Sequence, residues 1–309
     1  MQLQAILTTM FQVILPISLP VLGGVLLRLY QKLETKPLLT LYLYVLSPSL
    51  IFNTLTKAEL SFGDVYQTVA FSLLNLLVLW ALAKVLAKLL RLEAPEAAGL
   101  TLISTFTNSV NYGLPLVLLA FGQLGLDKAS IYVISQMVIV NTIGVYFAAR
   151  SQFSVKDAIR SVFKLPAIYA AALAFIVRWA GLALPSGLDA GIVMLANAYS
   201  PIALSILGAQ MVNVGHQGTA VQGTNRTFWT GLAVRMLLSP LAAFLVLLVL
   251  RIEGTLFSVL MILASMPVAV NAVVLAERFD ASPRTVSRCI LWTTLGSFII
   301  LPVWIVAVR

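Results

Sequence analysis

The stretch that decides the fold reads Ser104-Thr-Phe-Thr-Asn-Ser-Val-Asn-Tyr-Gly-Leu-Pro115. Six of these twelve residues are Ser, Thr or Asn, yet the stretch lies inside an uncharged run over residues 97–126. A helix that only crosses lipid needs apolar side chains and an unbroken set of backbone hydrogen bonds. The polar cluster therefore predicts two half-helices that meet at an unwound segment beside a polar cavity. We expect the helix to break at Gly113 and Pro115, because proline removes a backbone donor.

Similar uncharged runs occur along the whole chain. They cover residues 1–27, 37–56, 65–83, 129–149, 190–215, 254–276 and 289–308, and residues 162–181 and 227–250 are apolar apart from Lys164, Arg178 and Arg235. Each run approaches the roughly 20 residues that a helix needs to cross a bilayer. Only 10% of the 309 residues are charged, whereas soluble domains carry about 25%. We therefore predict an all-α membrane protein whose ten transmembrane helices contact lipid, rather than the buried helices of a large soluble protein.

The positive charge follows the predicted membrane topology. The net charge of +9 suggests a nucleic-acid-binding protein, but Lys and Arg are divided unevenly between alternate loops. One set of loops holds fourteen of the twenty and the other set holds five, with Arg235 inside a span. Cytoplasmic loops collect Lys and Arg. We therefore predict that both termini lie outside the cytoplasm and that the chain binds no nucleic acid.

The chain resembles itself at three places, which divide it into two halves. The matching pairs are Leu15-Pro16 with Leu165-Pro166, Ser47-Pro48 with Ser200-Pro201, and Ser109-Val110-Asn111 with Ala269-Val270-Asn271. The offset grows along the chain from 150 to 153 to 160 residues, as loop insertions would make it. Each half, residues 1–150 and 151–309, holds five predicted spans. Because five is odd, the second half must enter the membrane the opposite way up, as in the inverted repeats of many secondary transporters.

The polar interruptions of spans four and nine supply the candidate substrate site. Span four contributes Thr107, Asn108 and Asn111. At the offset of 160 residues, Pro267 of span nine lies opposite Thr107, and Asn271 lies opposite Asn111. Asn and Ser also form hydrogen bonds between packed helices, worth about 1 kcal/mol or less each, and we prefer that interpretation for isolated residues. For this cluster we favour a binding site, since a half-helix N-terminus carries partial positive charge that attracts a carboxylate.

Two motifs resemble the auxin efflux carrier family, which includes plant carriers and many bacterial ones. They are Asn108-Ser-Val-Asn-Tyr-Gly113-Leu-Pro115 in span four, and Ala264-Ser-Met-Pro267 followed by Val274-Leu-Ala-Glu-Arg-Phe279 in span nine. The family's ten spans and inverted repeat, an architecture similar to that of bile-acid symporters and sodium/proton antiporters, fit the whole chain. One departure is Thr107, which stands where the family has a proline.

The resemblance implies a scaffold domain of spans one, two, six and seven, and a transport domain of spans three to five and eight to ten. Spans four and nine would cross at their breaks, and an elevator movement would carry an organic anion, in the direction of efflux. The family's span-four Asn contacts the substrate carboxylate, which here implies Asn108. Gln136 and Asn141 are candidates on the transport side, and Ser47 and Ser200 on the scaffold side. The resemblance also implies a bacterial inner-membrane location, and it leaves open a homodimer through the scaffold domain.

The sequence leaves the energy source open. No Asp or Glu lies central in a predicted span, which disfavours a proton antiporter that titrates a buried carboxylate. Arg235 inside span eight would either offset the negative charge of a substrate or snorkel to the interface. We predict no cofactor, and sodium coupling, proton coupling and uniport stay open.

Other functions compete with this hypothesis. A sodium-coupled organic anion symporter of the bile-acid type would share the architecture, and sodium-dependent uptake would identify it. An anion channel would show a flux that does not saturate. A membrane enzyme is disfavoured, because Cys289 is the only cysteine and no His, Asp, Glu or Cys cluster falls at one membrane depth.

Overall fold

A computed structural model describes residues 2–57, 61–139, 143, 163–217 and 225–308 of the chain. The described part is helical throughout its regular structure and forms no named strand, so the predicted all-α class is confirmed. The helices are α1 (residues 2–31), α2 (Thr35–Lys57), α3 (Phe62–Leu89), α4 (Ala94–Thr105), α5 (Ser109–Ile139), α6 (Pro166–Trp179), α7 (Ser186–Gln217), α8 (residues 225–249), α9 (Gly254–Ala264), α10 (Asn271–Arg278) and α11 (Pro283–Val308).

Seven of the described helices are long and apolar enough to cross a membrane, namely α1, α2, α3, α5, α7, α8 and α11. The apolar helices α6 and α9 are shorter, with 14 and 11 residues. Within the described residues, two of the predicted spans are interrupted, as the sequence predicts. The predicted span four is divided between α4 and α5, and the predicted span nine between α9 and α10. The helix α5 also continues into the predicted span five, after a non-helical residue at Gly122 (φ 66°, ψ −160°).

Four of the described helices contain a π-helical turn, and each of these turns is followed by a proline. The turns are Met10–Ile14, Tyr42–Leu46, Ser109–Gly113 and Val234–Leu238, and the prolines are Pro16, Pro48, Pro115 and Pro240. A proline ring clashes with the carbonyl four residues earlier, and in each case that carbonyl belongs to the central residue of the turn. Widening the turn relieves the clash without ending the helix. Proline permits this turn rather than dictating it, since Pro20, Pro201 and Pro302 lie in helices without one at that spacing.

The prediction that the helix breaks at Gly113 and Pro115 is wrong, because the π-helical turn accommodates the proline. The helix α5 begins upstream at Ser109 and continues through both residues, with the Leu114 N–H donating to the Ser109 carbonyl across the widened turn. The interruption lies just before it, where Phe106 takes an extended conformation (φ −106°, ψ 116°). The interruption therefore forms although Thr107 replaces the proline of the family pattern.

The two interruptions lie side by side and satisfy each other's backbone. The Asn108 N–H donates to the Pro267 carbonyl (2.8 Å), and the Ala269 N–H donates to the Phe106 carbonyl (3.0 Å). These bonds form an isolated antiparallel bridge between Thr107 and Val268. The pairing removes the cost of unwinding two helices in a buried place. The two segments that the sequence marks as interruptions therefore contact each other directly.

Elsewhere α1 and α7 pack backbone against backbone. A Cβ added at Gly24 would lie 1.9 Å from the Ser205 carbonyl oxygen, and one added at Gly208 would lie 1.9 Å from the Val21 carbonyl oxygen. No side chain fits at either position, so both glycines are required for this close approach. The pair forms a tightly packed unit beside the interrupted helices.

Candidate functional site

A cavity of about 250 Å³ opens beside the paired interruptions. The first residues of α5 and α10, the π-helical turn of α2, and the segment that leads into α6 line it. The predicted site residues that line it are Ser47, Thr107, Asn108, Asn111, Gln136 and Asn271. The structure thus brings together polar residues from both halves of the chain.

Two helix N-termini meet at this cavity. The helix α5 begins at Ser109 and α10 begins at Asn271, and both residues are part of the cavity wall. The first turn of a helix leaves backbone N–H groups without intrahelical partners, and the aligned peptide dipoles place about half a positive charge there. Of the described residues that line the cavity, none is acidic. The site therefore favours a negatively charged group.

Asn108 lies at the point where the interruption becomes α5. Its side chain is 3% exposed, and its Nδ2 donates to no described atom. The neighbouring Ser109 Oγ is also buried without a partner. A buried donor without an acceptor costs about 1–3 kcal/mol, so the Asn108 amide is available to bond a ligand in the cavity.

Asn111, in contrast, has a side-chain partner in Tyr42, which in turn contacts Tyr199. The Tyr42 hydroxyl donates to Asn111 Oδ1 (2.5 Å) and lies 2.8 Å from the Tyr199 hydroxyl. The Tyr199 hydroxyl donates to the Val110 carbonyl (2.9 Å), and the two rings pack with their centroids 5.1 Å apart. These bonds tie α2 and α7 to the first turn of α5, and they fix one wall of the cavity.

Lys164 supplies the one cationic side chain among the described residues that line the cavity. It lies just before α6 and is exposed. Its ammonium group adds to the positive potential of the two helix ends, although solvent screens the charge of an exposed group.

Arg235 occupies a different position from the one the sequence suggested. Its side chain is fully buried, at 0% exposure, so it does not snorkel to an interface. It is also not among the residues that line the cavity. Its guanidinium donates to the carbonyls of Ser104 (3.0 Å) and Ala264. These carbonyls belong to the last turns of α4 and α9, so Arg235 joins the C-terminal ends of the two interrupted helices.

Comparison with known proteins identifies the family of this chain. The sequence profile of a family described as membrane transport protein matches residues 5–156 and 149–305. The chain belongs to this family. The resemblance to the auxin efflux carriers is thereby confirmed, and the protein is a multi-pass membrane transporter.

Similar transporters occur in archaea and bacteria. An uncharacterized transporter of Methanothermobacter thermautotrophicus is 29% identical over 299 residues, which cover 95% of this chain and 96% of that protein. One of Methanocaldococcus jannaschii is 25% identical over 303 residues, covering 94% and 96%. The uncharacterized transporter YfdV of Escherichia coli is 26% identical over 153 residues, covering 50% and 47%.

Two further predicted residues of the transporter, Pro267 and Ser200, do not line the cavity. Pro267 lies within the second interruption, where its carbonyl accepts from Asn108. Ser200 is half-buried in α7 and does not line the cavity. Asn141 lies outside the described residues.

Sequence reasoning missed Tyr42, Tyr199 and Lys164 as site residues of the transporter. Tyr42 lies in a π-helical turn, and Pro48, two residues after that turn, is compatible with such a turn without requiring it. Lys164 directly precedes the repeated Leu165-Pro166 pair.

Proposed function

We propose that the transporter carries a small organic carboxylate across the membrane and binds it in the cavity beside the paired interruptions. The observation that carries this proposal is the Asn108 amide, which is buried, lines the cavity and has no partner for its Nδ2. A carboxylate would accept a hydrogen bond from this amide, and such a bond to a charged group is worth about 1.5–3 kcal/mol.

The electrostatics of the cavity support a monoanion. Two helix N-termini contribute about half a positive charge each, which together match one carboxylate. The apolar part of the wall includes Leu43, Met137 and Val270. A substrate with one carboxylate and a compact apolar body fits this combination of groups.

We further propose that the helices form ten spans in two inverted halves, residues 1–150 and 151–309. In this arrangement α4 with the start of α5, and α9 with α10, are the divided spans four and nine. The matched motifs of the two halves and the division of both spans at those motifs support it. The scaffold would then comprise α1, α2, α6 and α7, and the remaining helices would form the transport domain.

This arrangement favours elevator-type transport. The hydrogen bonds of Tyr42 and Tyr199 to Asn111 and Val110 join the proposed scaffold to the proposed transport domain. Movement of one domain past the other would break them and carry the cavity with the transport domain. The uneven distribution of Lys and Arg supports termini outside the cytoplasm of a bacterial inner membrane, and the family resemblance favours efflux. We also propose a homodimer that forms through the scaffold domain, on the family resemblance alone.

The proposed function is tested on the purified full-length chain with a panel of monocarboxylates, dicarboxylates and neutral amide analogues. A ligand at 100 times its Kd stabilises a protein by about 2.7 kcal/mol, which raises the Tm of a chain this long by roughly 5 °C. We expect monocarboxylates to produce such shifts and their amides to produce none. A stabilising carboxylate should then show saturable uptake into proteoliposomes. The absence of any carboxylate-specific shift would contradict the proposal, and a non-saturating flux would favour a channel.

A further inference from the structure

The guanidinium of Arg235 caps two helices at once. The last turn of a helix leaves four carbonyls without intrahelical partners. In α4, the Leu102 carbonyl accepts from the Phe106 N–H, and the Ser104 carbonyl accepts from Arg235. In α9, the Ala264 carbonyl accepts from Arg235 and, at 3.4 Å, from the Ser239 hydroxyl. A single side chain therefore bonds one terminal carbonyl of each interrupted helix.

The positive charge of the buried Arg235 guanidinium is offset without a carboxylate. A helix C-terminus carries about half a negative charge, so the ends of α4 and α9 together offset about one positive charge. The ion pairs of Lys57 with Asp189 and of Lys128 with Asp64 do not include Arg235, and its guanidinium donates to backbone carbonyls instead. The helix ends are therefore the counter-charge of the buried guanidinium.

Half-helix C-termini and unwound carbonyls are the groups that coordinate a coupling cation in sodium-driven carriers. A sodium ion and a guanidinium compete for such carbonyls. We propose that Arg235 is a built-in cation, whose guanidinium occupies the place between the Ser104 and Ala264 carbonyls where a sodium-coupled carrier binds its ion. Transport of the anion then requires no sodium. This inference rests on the proposed function and assigns its coupling.

The first test uses the unmodified protein in sodium chloride and in choline chloride. We expect the same Tm in both salts, and the same initial rate of uptake into proteoliposomes for the carboxylate found in the ligand screen. A sodium-specific rise in Tm, or uptake that requires sodium, would overturn the inference. Failure of every carboxylate to bind would instead contradict the proposed function, so the two failures are distinguishable.

The second test removes the built-in cation. Arg235→Ala leaves two buried carbonyls and two helix ends without their counter-charge, and we expect the Tm to fall by roughly 5–10 °C and uptake to be lost. Methylguanidinium chloride, added below denaturing concentrations, should restore both Tm and uptake in part. A side chain that only fills space would not be replaced by a small cation.

The control and the conservative variant complete the test. Arg226→Ala removes the same charge from an exposed position at the start of α8, and it should change neither property. Arg235→Lys keeps a cation at the site, so we expect a Tm between those of the unmodified protein and Arg235→Ala, with uptake that stays independent of sodium. If Arg235→Ala does not fold, Arg235→Lys decides whether a cation at this position makes transport independent of sodium. Normal Tm and uptake in Arg235→Ala, or a sodium requirement in Arg235→Lys, would contradict the inference.

Discussion

The two sides of the paired interruptions differ in what completes them. On one side, the C-terminal ends of α4 and α9 are closed by the fully buried Arg235. On the other side, the N-terminal ends of α5 and α10 line an open cavity, where Asn108 Nδ2 has no partner among the described atoms. The helix dipoles are of similar size and opposite sign at the two sides. The negative ends of α4 and α9 have Arg235 as a fixed counter-charge. The positive ends of α5 and α10 have no acidic side chain among the described residues that line the cavity.

This difference teaches how a nearly uncharged helical protein can prepare a site for an anion. Burying a charge is costly unless it is compensated, and Arg235 is compensated by helix ends rather than by a carboxylate. The same arrangement leaves the positive helix ends for the ligand. Substitutions among the residues that line the cavity change the open side, whereas substitution of Arg235 changes the closed side.

The largest effect is expected when a negative charge enters the open side. Asn108→Asp places a carboxylate where we propose that the substrate carboxylate binds, and like charges in contact cost several kcal/mol. We expect binding to weaken by more than about 100-fold. Asn108→Ala removes only the hydrogen bond, and the loss should be about 10- to 100-fold. Titration of the stabilising carboxylate by thermal shift, followed by proteoliposome uptake, measures both.

The stability of Asn108→Ala should stay near that of the unmodified protein, because Nδ2 makes no bond that the substitution would break. Asn75→Ala is the matched control, since Asn75 is a buried amide in α3 that does not line the cavity. It should bind and transport normally. Equal affinity in Asn108→Ala and the unmodified protein would remove Asn108 from the site.

Much of the fold could be predicted from local sequence. The polar residues between Ser104 and Pro115 predicted an interruption, because nothing in a lipid-spanning helix requires them. Its position was predicted wrongly, because a proline inside a helix can be accommodated by a π-helical turn as well as by a break. The pairing of Asn108 with Pro267 then allows α4 to end without a proline at Thr107.

The site could be predicted only where its residues lie in the interruptions. Tyr42 and Tyr199 are separated by 157 positions, and no local pattern connects two tyrosines so far apart. Arg235 stood out as a charge inside a span, but its partners are the carbonyls of Ser104 and Ala264. Every residue has a carbonyl, so the side-chain pattern could not identify which ones the guanidinium binds.

A smaller effect is expected from loosening the wall that α2 provides. Tyr42→Phe removes the hydroxyl that bonds Asn111 Oδ1 and contacts Tyr199. A neutral hydrogen bond contributes about 1 kcal/mol, so the population of the described conformation should fall about fivefold relative to others. Distances between spin labels on α1 and α3 would measure this shift, with little change in carboxylate affinity.

Tyr112→Phe is the control for this change. Tyr112 is a fully buried tyrosine in the same π-helical turn as Asn111, but its hydroxyl contacts Ser297 of α11 at 3.4 Å, within the proposed transport domain. It should leave the distance distribution unchanged. Identical distributions for Tyr42→Phe and the unmodified protein would show that these bonds do not hold the two domains together.

The smallest effect is expected from Lys164, because its charge is exposed and therefore screened. Lys164→Gln should weaken carboxylate binding about twofold to threefold at low ionic strength. At about 1 M salt, where the screening length falls to roughly 3 Å, the variant and the unmodified protein should bind equally. Lys84→Gln removes an exposed charge from α3 on the same predicted side of the membrane, and it should have no effect. A deficit that persists at high salt would instead indicate a direct contact between Lys164 and the carboxylate.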